Sequence, residues 1–389
     1  MPAVQPKPKL VYLVSEDWYF VSHRLPLALA ARDHGYAVTV IARVAKHADV
    51  IRDHGLTLVP LAIDRSGTNP FADTAMALKV ARHYRTLKPD VVHHVAMKPV
   101  LYGSLAARAA RVPGVVNALM GLGYVFSSQA AKAKALRPFV RTALRSALSW
   151  SNNRTIVQNH DDYQLLLDEN LAPRDRIALI RGSGVDLEAF PFSEMPSGRP
   201  RVVLPARLLR DKGIVEFVEA ARILKAEGLD AEFVLAGSPD PVNPSSLTEA
   251  EIASYVRDGL VTCLGWRSDM AEVYRHATLV CLPSYREGLP KALLEAAAVG
   301  RAIVATDVPG CREIVHENAN GWLVPPRDAK LLAAAIRDAL SDPDRLARFA
   351  LAGRARVERD HAEAHIFAAT LKLYEVLLAA HRAPSGNRS

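Results

Sequence analysis

Long apolar runs are missing from this sequence. None reaches the ~20 consecutive residues that a membrane-spanning helix needs, which argues against an integral membrane protein. Cysteine is scarce: Cys263, Cys281 and Cys311 show no paired spacing. That excludes a disulfide framework and points to reduced, buried thiols in a cytosolic protein. The opening "MPAVQPKPK" lacks the apolar core of a secretory signal, so the chain is expected to stay in the cytoplasm. No short-period repeat, zinc-ligand spacing, helix-turn-helix signal or aromatic RNA-binding signature is present, so nucleic acid is not an expected partner.

What is present is enough apolar residue to bury a large core. Half of the 389 residues are hydrophobic, and the length suggests two domains or three. The net charge of +8 is unevenly placed. Residues 1–190 carry 24 Lys and Arg against 15 Asp and Glu, and the remainder is close to neutral. A basic N-terminal half calls for an anionic partner on that side, and with nucleic acid set aside this leaves acidic lipid or a phosphorylated substrate.

Short apolar runs alternate with amphipathic helical segments in two series. "KLVYLVS", "AVTVIAR", "TLVPLAI", "VVHHVA", "GVVNAL" and "TIVQN" form the first; "RVVLPAR", "AEFVLAG", "LVTCLGW", "ATLVCLP", "RAIVATD" and "GWLVPP" form the second. Continuous apolar strands separated by helices mean parallel sheets covered on both faces. "GSGVDLEAFPFSEMPSGRP" lies between the series and reads as a linker. The expected fold is α/β: two doubly wound, Rossmann-like domains facing across a cleft, 1–188 and 189–375. The last helix is expected to pack back on the first domain, and 376–389 to be a disordered tail.

Ligands of such sheets bind beyond the carboxyl ends of the strands. In the second series those ends are polar. Arg207 and Lys212 follow "RVVLPAR", Arg267 follows "LVTCLGW", and Glu287 follows "ATLVCLPS". Two cations on one rim suit a diphosphate; taken singly, each is also an ordinary solvated loop charge. "PSYREGLPKALLEA" then opens a helix at Pro290, whose missing N–H costs nothing in a first turn. The N–H groups of Gly288, Leu289 and their neighbours would face the ligand with the positive end of the helix dipole. Glu287 can accept sugar hydroxyls and Glu295 both hydroxyls of a ribose, although two glutamates eight apart also occur as plain surface residues.

The stretch "PSYREGLPKALLEAAAVGRAIVATDVPGCREIV" resembles the signature of the retaining GT-B glycosyltransferases of glycosyltransferase family 4. Glu287 and Glu295 match the family's glutamate pair, and Arg207 and Lys212 in "ARLLRDKG" match its diphosphate clamp. "SEDWYFVSHRLPLA", "KPVLYGSLAAR", "NALMGLGYVFSS", "QNHDDYQLL" and "IRGSGVD" resemble the branch that builds bacterial surface polysaccharides and lipid-linked oligosaccharides. The resemblance implies an N-terminal acceptor domain and a C-terminal nucleotide-sugar domain. It also implies that Glu287 meets the donor sugar, Glu295 the ribose, and Arg207 with Lys212 the diphosphate. No cofactor or metal is implied. The donor would be a nucleotide diphosphate sugar, UDP-linked and carrying an N-acetylhexosamine. "DPD" at Asp342–Asp344 fits a metal-type pattern by letter, but reads as a turn between helices. Two further readings are a non-hydrolysing sugar-nucleotide epimerase and an inactive partner subunit. An inactive subunit tends to lose one of the four matched residues, and all four are here.

The chain also departs from the family. Many relatives have a Gly-rich loop after the first strand, where this chain has "SEDWYFVSH". Gly121 and Gly123 in "GLG" either bring backbone to the diphosphate or form a simple turn. His23, beside Arg24, and His94 are candidate acceptor contacts, whereas His93 reads as a buried, hydrogen-bonded residue. Lys98 is placed to meet an acceptor phosphate. Lys134, Arg137, Arg141 and Arg145 share one helix face beside an apolar stripe. That face is either solvated, or docks on anionic lipid or on an acceptor's diphosphate at the inner surface of the membrane.

Overall fold

The computed structural model describes residues 6–63, 70–120, 122 and 131–382. The chain divides into two compact units: Met1–Ser183 with Ile366–Ser389, and Gly184–His365.

The N-terminal unit holds seven parallel strands: β1 (Lys9–Glu16), β2 (Ala37–Arg43), β3 (Thr57–Pro60), β4 (Val91–Val95), β5 (Gly114–Ala118), β6 (Asn153–Val157) and β7 (Ile177–Leu179). Their order is β3-β2-β1-β4-β5-β6-β7. Every residue of β4 and β5 is buried, because helices cover both faces of the sheet. That burial takes in His93, His94 and Asn117. His94 Nδ1 lies 2.7 Å from Asn117 Oδ1, and Asn117 donates on to Asn153 Oδ1 at 3.1 Å, a polar ladder across three strands.

The C-terminal unit holds six parallel strands: β8 (Arg201–Pro205), β9 (Glu232–Ala236), β10 (Thr262–Cys263), β11 (Leu279–Leu282), β12 (Ala302–Thr306) and β13 (Gly321–Val324), in the order β10-β9-β8-β11-β12-β13. Counted from its own first strand, each sheet begins 3-2-1-4-5-6. In both, the order reverses beside the first strand, and such a switch point opens a crevice at the strands' carboxyl ends.

Three expectations change. The division falls at 183/184, and the supposed linker belongs to the C-terminal unit. Arg301, 1% exposed, holds it there by donating to the carbonyls of Ser193 and Glu194, both at 2.9 Å. The last helix, Glu363–Arg382, runs through the stretch expected to be a disordered tail, because Tyr374 and Leu377 are buried among Leu10, Tyr12 and Ala31 of the N-terminal unit. Residues 383–389 lie outside the described residues.

β1 runs straight into the helix Asp17–His23. The fully buried carboxylate of Asp17 accepts the N–H groups of Ala45, Lys46 and His47 at 2.7, 3.0 and 2.9 Å. A carboxylate therefore tethers the loop after β2 from within "SEDWYFVSH", the segment that contains no glycine. At the other side of the same switch point, Ala96 follows β4 with φ +79° and ψ 165°, a conformation that costs a non-glycine residue about 1–3 kcal/mol.

Candidate active site

The switch point of the C-terminal sheet lies between β8 and β11, and the loops that leave these two strands meet there. The loop after β8 contains Arg207 and a short 3-10 turn, Arg210–Lys212, ended by Gly213 in the left-handed region at φ +73°. A Cβ at Gly213 would stand 2.1 Å from the Pro283 carbonyl oxygen, so only glycine lets the two loops touch. Tyr285 N–H, in the loop after β11, donates to the Asp211 carbonyl at 2.9 Å. Lys212 Nζ then reaches Glu287 Oε1 at 2.5 Å, with the carboxylate only 10% exposed.

A third loop closes in behind Glu287. Gly310 N–H donates to the Glu287 carbonyl at 3.2 Å, and a Cβ there would sit 2.6 Å from the Gly288 backbone. Leu289 packs against the core cluster of Val280, Leu282 and Leu293. The helix expected at Pro290 begins one residue later, at Lys291, with Pro290 as its N-cap.

Arg207 pairs with Asp240, beyond the end of β9, at 2.7 Å. Its guanidinium is held in place by that carboxylate. Glu295 lies on the buried side of its helix and is 13% exposed. Tyr274 donates its hydroxyl to Glu295 Oε2 at 3.1 Å, and Lys291 Nζ stands 3.7 Å from Oε1. Burial raises the Glu295 carboxyl above its ordinary pKa, while Lys291 and Tyr274 pull it down.

The other expected residues fall elsewhere. Arg267 follows β10, at the edge of the sheet, and makes a forked contact with Asp269. His94 is fully buried. Its Nε2 lies 3.0 Å from the Tyr84 hydroxyl, its Nδ1 meets Asn117, and burial brings its pKa down to about 4. It is a core residue and not an acceptor contact. His93 is buried too, 2.6 Å from the Tyr374 hydroxyl. His23 ends its helix, stacked on Tyr19 at 4.4 Å. Lys98 Nζ is 3.9 Å from Asp73. Asp342 caps the helix Pro343–Asp360 by accepting the Arg345 N–H at 2.9 Å, so "DPD" is a helix start. Gly121, Gly123 and the Lys134 side chain lie outside the described residues.

The basic helix, Ala131–Leu148, is used differently from the expectation. Leu144 and Leu148 are buried against Val100, Leu119 and Leu166. Arg145 donates to the carbonyls of Asn170 and Glu169 at 2.9 and 3.1 Å, and Arg141 pairs with the Glu169 carboxylate at 3.2 Å. Both cations thus close the C-terminal end of the helix His160–Asp168, where carbonyls lack intrahelical partners and the dipole is negative. They do not form an open lipid-facing row. Arg137 is half-buried, and Phe139 in the same turn is 75% exposed.

Sequence reasoning missed Asp240, Tyr274 and a cluster around Tyr285. The Tyr285 hydroxyl donates to Glu216 at 2.7 Å, and the Arg327 guanidinium lies 4.6 Å from its ring centre. Asp240 had a signal, an acid in the loop after β9. Tyr274 had none, being one apolar-face residue of an ordinary helix.

Residues 199–342 match the family model for glycosyl transferases group 1, and residues 9–153 the one for glycosyl transferase 4-like domains. The chain is 30% identical over 332 residues to the N,N'-diacetylbacillosaminyl-diphospho-undecaprenol alpha-1,3-N-acetylgalactosaminyltransferase of Campylobacter jejuni, covering 82% of this chain and 86% of that one. It is 28% identical to the UDP-Gal:alpha-D-GlcNAc-diphosphoundecaprenol alpha-1,3-galactosyltransferase of Escherichia coli, over 63% of this chain and 65% of the other. Among solved structures, the sucrose-phosphate synthase of Thermosynechococcus elongatus matches with a TM-score of 0.78 at 21% identity, over 96% of this chain and 100% of that one. Anabaena HepE in complex with UDP matches with a TM-score of 0.74 at 17% identity, over 95% and 100%. The chain therefore belongs to the group 1 glycosyl transferases, as a GT-B enzyme of glycosyltransferase family 4 and of the surface-polysaccharide type.

Proposed function

We propose that the protein transfers an N-acetylhexosamine from its UDP-linked donor to a lipid-diphosphate-linked acceptor, with retention of anomeric configuration and without metal or cofactor, at the inner face of the cytoplasmic membrane. The observation that carries the donor half is the meeting of Lys212, Glu287 and the helix Lys291–Ala298 at the switch point of the C-terminal sheet. Arg207 and Lys212 are the cations for the leaving diphosphate, with the start of that helix adding its dipole. Glu287 receives hydroxyls of the donor sugar and Glu295 those of the ribose. Attack comes from the face the diphosphate leaves, and a donor phosphate oxygen takes the acceptor's proton, so no protein nucleophile is required. The acceptor half rests on the two undecaprenol-dependent relatives. The exposed Phe139 ring beside Arg137 supports a membrane contact.

The test is a thermal-shift panel of nucleotide sugars. A transfer assay follows with the best binder and short-chain polyprenyl-diphosphate sugars, run with and without excess chelator. Transfer that survives the chelator and yields the donor's anomer supports the reading. Transfer that stops, and returns with magnesium or manganese, refutes the metal-free mechanism. Epimerised free sugar nucleotide formed without acceptor refutes the transferase reading.

A further inference from the structure

The C-terminal unit shows what a buried arginine ordinarily needs. Arg301 gives its guanidinium hydrogens to five carbonyls, those of Tyr274, Ser193, Gly300, Glu194 and Arg275, and to the Ser193 hydroxyl. The N-terminal unit contains another buried arginine, Arg24, 4% exposed, with nothing comparable. Among the described residues the only hydrogen bond of its guanidinium runs from Nη2 to the Met120 thioether at 2.9 Å, and its Nε is buried with no partner. No carboxylate among the described residues pairs with it. A thioether is a weak acceptor, and a guanidinium withdrawn from water without an anion is strongly disfavoured.

The Arg24 backbone is fixed in place. It joins the helices Asp17–His23 and Leu25–Asp33, its N–H bonded to the Phe20 carbonyl at 2.8 Å and its carbonyl to the Ala28 N–H at 2.9 Å. The N-terminus of the second helix, nine residues long, adds positive potential at the same place. Two more polar side chains converge there. Gln158, 3% exposed and just past β6, also gives its amide to Met120 Sδ, at 3.3 Å. His93 Nε2 is buried with no partner among the described residues, and the Arg24 charge bears on its ring. Burial keeps this imidazole neutral, with its pKa well below the ordinary value, so no second positive charge has to be balanced. Met120 and Gln158 stand just past the carboxyl ends of β5 and β6, the rim where doubly wound sheets take their ligands.

We infer that Arg24, with Gln158 and His93, forms an oxyanion site under the Met120 side chain, which an acceptor's diphosphate fills by displacing the thioether. The inference rests on the acceptor reading above for the source of the anion, but the site itself stands on a buried guanidinium that no carboxylate among the described residues pairs. Diphosphate suits it better than a neutral sugar. It balances the buried charge, and its several oxygens can meet the guanidinium fork and the amide together.

The test follows the Met120 methyl signal in protein labelled with 13C-methyl methionine, with UDP present throughout to occupy the donor site. Inorganic pyrophosphate should shift this signal in the wild type and leave it unmoved in Arg24→Met. Without ligand, Arg24→Met should melt higher than the wild type, since it removes an uncompensated charge, and its UDP affinity should be unchanged. Arg24→Lys, which keeps the charge but loses the fork, guards against a folding defect. It should show a weakened pyrophosphate shift and a KM for polyprenyl-diphosphate acceptor raised about tenfold or more, at unchanged donor KM. A Met120 signal indifferent to pyrophosphate, or an Arg24→Met protein that melts lower, overturns the site. Arg24→Met turning over lipid-diphosphate acceptors at the wild-type KM also overturns it and leaves the acceptor reading intact. A pyrophosphate shift in an enzyme that glycosylates no lipid diphosphate keeps the site and removes the acceptor reading. Inorganic phosphate as effective as pyrophosphate would identify a general phosphate site and overturn the diphosphate assignment.

Discussion

Lys212 Nζ and Glu287 Oε1 lie 2.5 Å apart and belong to loops separated by 75 residues of sequence. The pair ties the end of β8 to the end of β11 across the switch point of the C-terminal sheet. In the function proposed above, stability and catalysis meet at this pair, because the lysine assigned to the diphosphate is already paired with the glutamate assigned to the sugar.

Removing one partner should therefore do two things. Lys212→Ala should lower turnover about 100-fold or more, as loss of a preformed donor to a developing anion costs roughly 3–4 kcal/mol. It should also lower stability by about 1–3 kcal/mol, because the Glu287 carboxylate is left without its cation. Arg207→Ala should show the catalytic loss with little change in stability, its side chain being 46% exposed. Steady-state kinetics and thermal melts on both variants check this, and normal turnover in both would remove the diphosphate clamp.

Glu295 and Glu287 should fail differently. Glu295→Gln should weaken UDP binding measured by calorimetry and leave the turnover of bound donor nearly intact, since a ribose contact is made in ground and transition states alike. Glu287→Gln should bind UDP normally and turn over slowly. Tyr274→Phe should follow Glu295→Gln in a milder form, having lost the hydroxyl that orients the carboxylate. The reverse pattern would exchange the two roles.

Arg145→Met should lower the melting temperature of the protein, by about 1–3 kcal/mol in stability, because carbonyls at 169 and 170 lose a charged donor. Sedimentation with anionic liposomes should be unaffected. Phe139→Ser should do the opposite, keeping stability and reducing sedimentation. If Arg145→Met alone abolished liposome binding, the basic face would be the membrane contact after all.

Glu363 begins the last helix, its N–H bonded to the Val185 carbonyl at 3.1 Å. Burial pushes its carboxyl up to about 7; Lys291 draws it down and Asp186 adds to the rise. The folded protein thus holds this proton more tightly than the unfolded chain. The stabilising contribution is complete below the ordinary carboxylate range and is lost as pH rises through about 7. Glu363→Gln, neutral throughout, should melt close to the wild type at about pH 5 and above it at about pH 8. Parallel melting curves at both values would show that the carboxyl is charged throughout.

All six strands of the second sheet and six of the seven in the first were legible, because a strand buried on both faces is an uninterrupted apolar run such as "LVCL" or "AIVAT". The missed strand, Ile177–Leu179, is three half-buried residues at a sheet edge, too short to make a pattern. Lys212 and Glu287 were legible as charges at strand ends, but their contact was not, since no spacing in the chain reports which loops meet. The basic helix misled for the same reason. Spacing put Arg141 and Arg145 on one face, and only the fold showed that the face meets the end of another helix. Arg24 looked like one more charge beside a histidine, since burial of a single side chain leaves no trace in sequence.

The return of the last helix to the first unit has a consequence for how the protein is made. Residues 184–365 are one uninterrupted stretch and can close as soon as they have left the ribosome. The N-terminal sheet is synthesised earlier but lacks Tyr374 and Leu377, which fill the face occupied by Leu10, Tyr12 and Tyr36. The half of the molecule born first is thus completed last, and its open face must stay soluble while some 180 further residues are translated. A chain stopped before this helix would release a finished C-terminal unit beside an unfinished partner, a natural substrate for chaperones and proteases.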